Sequence, residues 1–425
     1  MADQFPRNLQ YAKFSAYGFL KNLRFFDPFM VLFLLEQGLG FLEVGSLYAF
    51  REIAVNVLEI PTGAVADALG RRRTMIASFA SYLVSFAGFW FGTTIGHFVI
   101  AMLLFSFGEA FRTGTHKAMI FTYLRINGLE RFSNDYYGHT RAWSQAGSAL
   151  SAIIAAGIVF LSGSYRAVFL YSTIPYVLDL LLMVSYPSEL DGTRGSLTWR
   201  DIGASFRSLA HGLRATARRP GATRSVASTA LFSGLFRGTK DYLQPVVAAL
   251  ALSVPIATTL SAERREAVVI GAVYTLLYVM TSFSSRASAR VATKLHSPSL
   301  ALNWELVIGL ILAFLTGLFR WQSWTLVAVV LFASLYALEN LRKPVGIACV
   351  SERVSDDVLA TVLSVESQLQ SLVAAGVALL VGALAELAGG NVGPGIAGAA
   401  AAGALALPFV WVRAQDRDSS ARTIR

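Results

Sequence analysis

The sequence has a single cysteine, Cys349, so a disulfide framework and a cysteine-based metal site are both excluded within one chain. It lies in an apolar run and reads as a small buried hydrophobe. Charge is scarce too: 15% of the 425 residues are Asp, Glu, Lys or Arg, where a soluble chain carries about 25%. A phosphate-cradling G-x-x-x-x-G-K-[ST] run is missing, since Gly238-Thr239-Lys240 lacks the spacing, and ATP drive is not expected. Without an H-E-x-x-H run or a G-x-S-x-G elbow, the chain does not read as a membrane hydrolase or any other enzyme, and no cofactor is expected. The opening MADQFPRNLQ shows no small-residue cleavage site, so no removable signal peptide is expected and the first membrane helix would direct insertion.

Apolar residues are abundant. They make up 55% of the chain, and mean hydropathy is +0.54. Twelve bilayer crossings of about 20 residues each would use about 240, close to the number available. This excludes disordered, collagenous and nucleic-acid-binding classes and leaves a polytopic helical membrane protein. Lys and Arg number 36 against 26 Asp and Glu. In such a protein basic loops on the cytoplasmic side account for that excess.

Apolar segments run near 12–36, 42–66, 74–94, 97–123, 140–162 and 166–187, then near 225–251, 266–290, 298–319, 323–349, 357–387 and 393–413. Six and six predicts an all-α membrane protein with a first bundle over 1–187, a linker over 188–222 and a second bundle over 223–425. Loops on one side hold Arg71, Arg72, Arg73, Arg125, Arg131, the arginine-rich linker, Arg286, Arg290, Lys294, Arg353 and the tail arginines. By the positive-inside rule that side, with both termini, is cytoplasmic. Within the linker Trp199, Ile202, Phe206, Leu209 and Leu213 recur at three- and four-residue spacing. They predict an amphipathic helix on the inner membrane surface that also tethers the bundles.

The halves resemble each other. Glu109 precedes Arg112 in segment four as Glu339 precedes Arg342 in segment ten. Ser144 with Ala155-Ala156-Gly157 matches Ser364 with Ala374-Ala375-Gly376, and Arg24, Asp27, Pro28 matches Arg237, Asp241, Pro245. Such internal duplication is the layout of many secondary transporters.

Between segments two and three runs Gly63-Ala64-Val65-Ala66-Asp67-Ala68-Leu69-Gly70-Arg71-Arg72-Arg73. Gly63 permits close helix approach, Gly70 a tight turn, and Asp67 stands where arginines or a helix N-terminus can hold it. The run resembles the G-x-x-x-D-x-x-G-R-[KR] signature of the major facilitator superfamily, and with the twelve segments the resemblance covers the whole chain. It implies two pseudo-symmetric six-helix bundles that rock about a central site. It also implies a conformational switch built on Gly63, Asp67, Gly70, Arg71 and Arg72, with the two arginines latching helix two to the neighbouring bundle. The corresponding loop of the second half, Ser285-Arg286-Ala287-Ser288-Ala289-Arg290, lacks the glycines and the acid. Segment five has no Gly-Pro motif of drug/proton antiporters, and in segment four Arg112 is displaced from the position that many proton-driven members use.

Ionisable residues inside membrane segments cost at least about 2.5–3.5 kcal/mol each on insertion scales, so each needs an interior face or a partner. Arg24 with Asp27, Glu109 with Arg112 and Glu339 with Arg342 are three apart, and Arg237 with Asp241 four apart. These spacings predict neutralising pairs on single helical faces. Asp179 in segment six has no evident role.

Arg24, Asp27, Arg112, Arg237, Lys240, Asp241 and Arg342 are the candidate solute-binding residues. The wealth of bases favours an anionic or zwitterionic organic solute over a cationic drug. Asp27, Glu109, Asp241, Glu339 and Glu366 are the candidate proton-coupling carboxyls, while His116 reads as a packed hydrogen-bonding group. The expectation is a monomeric, proton-coupled secondary transporter of the bacterial inner membrane, with solute, protons and lipid as its partners. The rivals are an efflux antiporter for amphipathic or cationic compounds and a non-transporting membrane receptor or scaffold.

Overall fold

The computed structural model describes residues 6–192, 195, 197–255, 258–294, 297–354 and 356–413. The side chains of Arg286, Arg290 and Lys294, together with residues Arg194, Arg417, Arg422 and Arg425, lie outside the described residues. Among those described, every regular element is helical.

Segment one is two helices, α1 (Leu9–Leu20) and α2 (Met30–Glu36), separated by turns. Segment two is α3 (Phe41–Glu59) and α4 (Thr62–Leu69), and segment three is α5 (Arg71–Phe91). Segment four is α6 (Ile95–Arg112) and α7 (Thr115–Ile126), segment five α8 (Ser133–Ser162) and segment six α9 (Ala167–Val184). The linker carries α10 (Trp199–Ala217). Segment seven is α11 (Pro220–Thr239) and α12 (Leu243–Ser253) around a 3-10 turn at Lys240–Tyr242. Segments eight to eleven are α13 (Ala262–Lys294), α14 (Pro298–Trp321), α15 (Thr325–Ser351) and α16 (Asp356–Leu387). Segment twelve is α17 (Val392–Leu405) with α18 (Leu407–Val410).

Twelve helical segments therefore stand where the hydropathy placed them. Seven stretches among the described residues are long and apolar enough to cross a membrane by themselves. Segments one and seven fall short as single rods because their helices break where charges and prolines sit, and α3 of segment two, 19 residues long, carries Glu43, Arg51, Glu52 and Glu59.

By packing the chain divides into two compact units, neither of which is a contiguous half. The first comprises Met1–Phe33, Ala54–Ser205 and Ile256–Tyr278; the second Leu34–Ile53, Phe206–Pro255 and Val279–Arg425. The first unit is cored by aromatic rings. Phe33, Phe86, Phe89, Phe169 and Tyr176 meet at centroid distances such as 4.7 Å for Phe33–Phe169 and 4.9 Å for Phe86–Tyr176, the range in which edge-to-face contact is attractive.

The second unit relies instead on small residues that let backbones touch. A Cβ on Gly45 would lie 2.6 Å from the Ala378 carbonyl oxygen, and one on Gly393 2.6 Å from that of Gly317. These contacts seat the N-terminal half of α3 on α16 and α14 on α17. At the other partner of the first contact, Glu386 accepts hydrogen bonds from the backbone N–H groups of Phe41 (2.6 Å) and Leu42 (3.4 Å), so its carboxylate caps the start of α3.

Candidate solute site and its charge clusters

In the first unit Lys21, Arg24 and Asp27 lie in the unwound stretch between α1 and α2. Arg24 Nε is 3.2 Å from Asp27 Oδ2, and its Nη2 is 3.7 Å from Glu109 Oε2. Glu109 also pairs with Arg112 and accepts from the Tyr82 hydroxyl at 2.7 Å, and Arg112 Nε donates to that same hydroxyl at 3.2 Å. Two of the expected i,i+3 pairs thus form and join into one network of two bases and two acids.

Beside it opens a cavity of about 480 Å³ within the first unit. Lys21, Arg112, Lys117 and Arg141 line it, with Tyr17, His116, Tyr137, Thr140, Ser144 and Gln145, and no Asp or Glu among the described residues does. Glu109 already meets the charge of Arg112, so Lys21, Lys117 and Arg141 are positive excess facing the space. Lys117 lies 5.3 Å from the centroid of the Tyr137 ring. His116 stacks on Tyr17 at 3.6 Å and shares a 3.1 Å hydrogen bond with the Tyr186 hydroxyl, the packed role expected of it. Gly114, at φ +80°, makes the bend between α6 and α7 that turns Lys117 toward the cavity. Lys21, Lys117 and Arg141 line the cavity although the solute-binding set read from the sequence includes none of them.

The second unit gathers a different set. Arg237 and Asp241, expected to pair with each other, take other partners. Arg237 Nη2 is 2.6 Å from Glu52 Oε2, whereas Asp241 binds Lys240 Nζ at 3.1 Å and Arg51 Nη2 at 3.5 Å. Arg51 also reaches Glu52 at 3.1 Å and covers the Tyr48 ring at 4.5 Å. The 3-10 turn at Lys240–Tyr242 rotates Asp241 off the helical register that an i,i+4 pair requires, and the buried Glu52 on α3 offers Arg237 a closer carboxylate. Three bases and two acids make this group positive by one.

The Glu339 and Arg342 pair does not close either. Glu339 accepts from Ser233 Oγ at 3.1 Å and lies 3.4 Å from Lys343 Nζ. Arg342, 1% exposed, donates to the carbonyl (3.1 Å) and hydroxyl (2.9 Å) of Ser228, stacks over Phe232 at 4.7 Å and approaches Glu305 at 4.0 Å. Glu339 is engaged by Ser233 and Lys343, and Arg342 turns to the carbonyl and hydroxyl of Ser228 on α11. Glu366 accepts from Gln370 at 2.9 Å.

The signature loop is intact as a structure. Gly70, at φ +94°, joins α4 to α5 in a conformation that only glycine adopts without strain. Asp67 is 3.3 Å from Arg71 Nη2, and Arg71 Nη1 donates to Thr122 Oγ1 at 2.7 Å. Arg72 donates to the Tyr186 carbonyl at 3.0 Å, and its backbone N–H to Asp191 at 2.8 Å. Asp191 therefore places negative charge at the N-terminus of α5, where three arginines would otherwise oppose the helix dipole. Gly63 does not serve the close helix approach expected of it, because a Cβ there would meet no atom within 4 Å.

Twelve helical segments with broken, charge-bearing helices and a glycine-arginine turn make up a polytopic helical membrane architecture. The Major Facilitator Superfamily model matches residues 18–375, and the chain belongs to that family. It is similar to the uncharacterized MFS-type transporter YxaM of Bacillus subtilis (strain 168), 27% identical over 176 residues, a match that spans 41% of this chain and 40% of that protein. The fold is shared with a mutant of the nucleoside transporter NupG (TM-score 0.75, 14% identity, 95% of this chain and 99% of that one). It is also shared with a POT family transporter solved with 5-aminolevulinic acid (TM-score 0.68, 12% identity, 96% and 98%) and with a D-xylose-proton symporter (TM-score 0.64, 14% identity, 95% and 96%).

Proposed function

We propose that the protein moves a small polar organic solute, anionic or zwitterionic, across the bacterial inner membrane by alternating access coupled to protons, as a monomer with both termini in the cytoplasm. The observation that carries this reading is the cavity of the first unit, with Lys21, Lys117 and Arg141 in excess of any acid lining it. A carboxylate or phosphate satisfies that excess, and an organic cation raises it.

In this mechanism the carboxyls hold the bases until a proton releases them. Protonation of Glu109 or Asp27 loosens Arg112 or Arg24 for the solute, and protonation of Asp241 loosens Lys240 and Arg51. Arg237 adds its charge to the solute's path, and Arg342, Glu339 and Glu366 carry the same exchange around α15 and α16. Asp67 with Arg71, and Arg72 with Asp191, hold one state of the switch loop, and Gly63 and Gly70 allow the change to the other.

The test is thermal unfolding of purified protein against a panel of small metabolites at acidic and at alkaline pH. Acids or zwitterions should stabilise it, more strongly at acidic pH, and Lys21→Met with Lys117→Met should abolish the effect. Stabilisation by amines alone would overturn the reading.

A further inference from the structure

Apart from the solute cavity, the second unit holds a cleft of about 350 Å³ whose two walls differ in chemistry. One wall is the end of α10 and the turn after it, which supply His211, Arg214, Arg218 and Arg219. The other is Val354, Val358 and Val362, at and before the start of α16. No Asp or Glu among the described residues lines it.

The cleft is built into the fold. Gly212 lies against Thr361 and Val365, where a Cβ would come 3.3 Å from a Val365 methyl, and Leu209 packs on the cluster of Val354, Val362 and Val365. Thr223 Oγ1 donates to the Thr216 carbonyl at 2.7 Å and fixes the turn between α10 and α11. Within it the Nη1 of Arg219 is shut off from solvent and has no hydrogen-bond partner among the described residues. On the same helix Trp199 is 87% exposed, and Phe206 and Leu213 are exposed as well. The amphipathic stripe is therefore divided: part of it packs on α16 and the rest faces outward.

We propose that this cleft binds the phosphate of an anionic phospholipid, with the arginines on the headgroup and the valines along the start of an acyl chain. Arginine forks match phosphate oxygens in two-point fashion, and Arg214, Arg218 and Arg219 line the cleft together. Free phosphate would meet the same arginines but would leave the valine wall without a partner. The exposed Trp199, Phe206 and Leu213 place the cleft at the bilayer interface, where anionic headgroups are concentrated. The site does not depend on which solute is carried.

The experiment is thermal unfolding of the full-length protein in zwitterionic micelles with added phosphatidylglycerol, phosphatidylcholine or inorganic phosphate. Phosphatidylglycerol should raise the melting temperature by several degrees, and the other two by much less. The Arg214→Gln, Arg218→Gln, Arg219→Gln variant should lose most of the response, and Arg200→Gln with Arg207→Gln, on the same helix outside the cleft, should keep it. Should the triple variant fail to fold, the exposed Arg218→Gln alone, read by native mass spectrometry for retained phosphatidylglycerol, gives the same comparison. Equal responses in the cleft and control variants would overturn the proposal as diffuse attraction. An inorganic phosphate response as large as that of the lipid would overturn it in favour of a free-phosphate site.

Discussion

Glu52 holds two guanidinium groups at once, so its removal should cost more than the loss of either arginine's contact. It is 5% exposed, with Arg237 at 2.6 Å and Arg51 at 3.1 Å. Charge centres about 4 Å apart attract by about 4 kcal/mol at an effective dielectric of about 20. The Arg237 side chain is 34% exposed, and solvent screening reduces its share to about 2 kcal/mol. Arg51 retains Asp241 at 3.5 Å and loses less. Glu52→Gln should therefore destabilise by about 3 kcal/mol and Arg237→Gln by about 2 kcal/mol, with a coupling of about 2 kcal/mol in the double variant. Reversible unfolding in mixed micelles, run on the wild type, both single variants and the double, measures the cycle. Costs that add to within about 0.5 kcal/mol would refute the pairing.

Asp179 is fully buried on α9 and neither carboxyl oxygen has a hydrogen-bond partner among the described residues. Asp179→Leu should raise stability by about 1–3 kcal/mol, read as a higher unfolding midpoint. Gly382 meets the Phe41 carbonyl and Gly45 meets that of Ala378, so alanine at either position should push α3 off α16 and cost about 1–3 kcal/mol, checked by the same unfolding assay. At the start of α10, Thr198 and Asp201 cap each other, with the Thr198 N–H donating to Asp201 at 2.9 Å and the Thr198 hydroxyl at 2.7 Å. These bonds hold the Asp201 carboxyl below the usual carboxylate range. A depressed folded value means that the cap's contribution is present above the unfolded value of about 3.9 and fades as pH falls through the folded one. Fluorescence of Trp199 should report fraying of α10 in that acidic window and not at neutral pH, and Thr198→Ala should bring fraying to neutral pH.

Local arithmetic made part of this molecule legible. Helical segments and the amphipathic linker follow from periodicity, and Arg24 with Asp27 or Glu109 with Arg112 follow from a spacing of three on one short stretch. Arg237 could not be assigned that way. Its partner Glu52 lies 185 positions away, on a helix whose seat against α16 depends on Gly45 and Gly382. Arg342 shows the converse, a residue with correct spacing to Glu339 whose guanidinium instead meets the carbonyl and hydroxyl of Ser228 on α11. The cavity was legible in part: Arg112 was among the candidate solute-binding residues, whereas Lys21 and Lys117 were not. Arg141 lies near the start of the long α8, and only packing brings it to the cavity wall.

The central claim is that excess positive charge in the first unit selects the solute. Counterflow in proteoliposomes, with matched panels of organic acids and organic amines, measures it most directly. The account predicts exchange of acids by the wild type and a drop of about tenfold or more in Lys21→Met with Lys117→Met, the equivalent of about 1.4 kcal/mol in binding. Exchange of amines without acids, or unchanged acid exchange in the double variant, would contradict it.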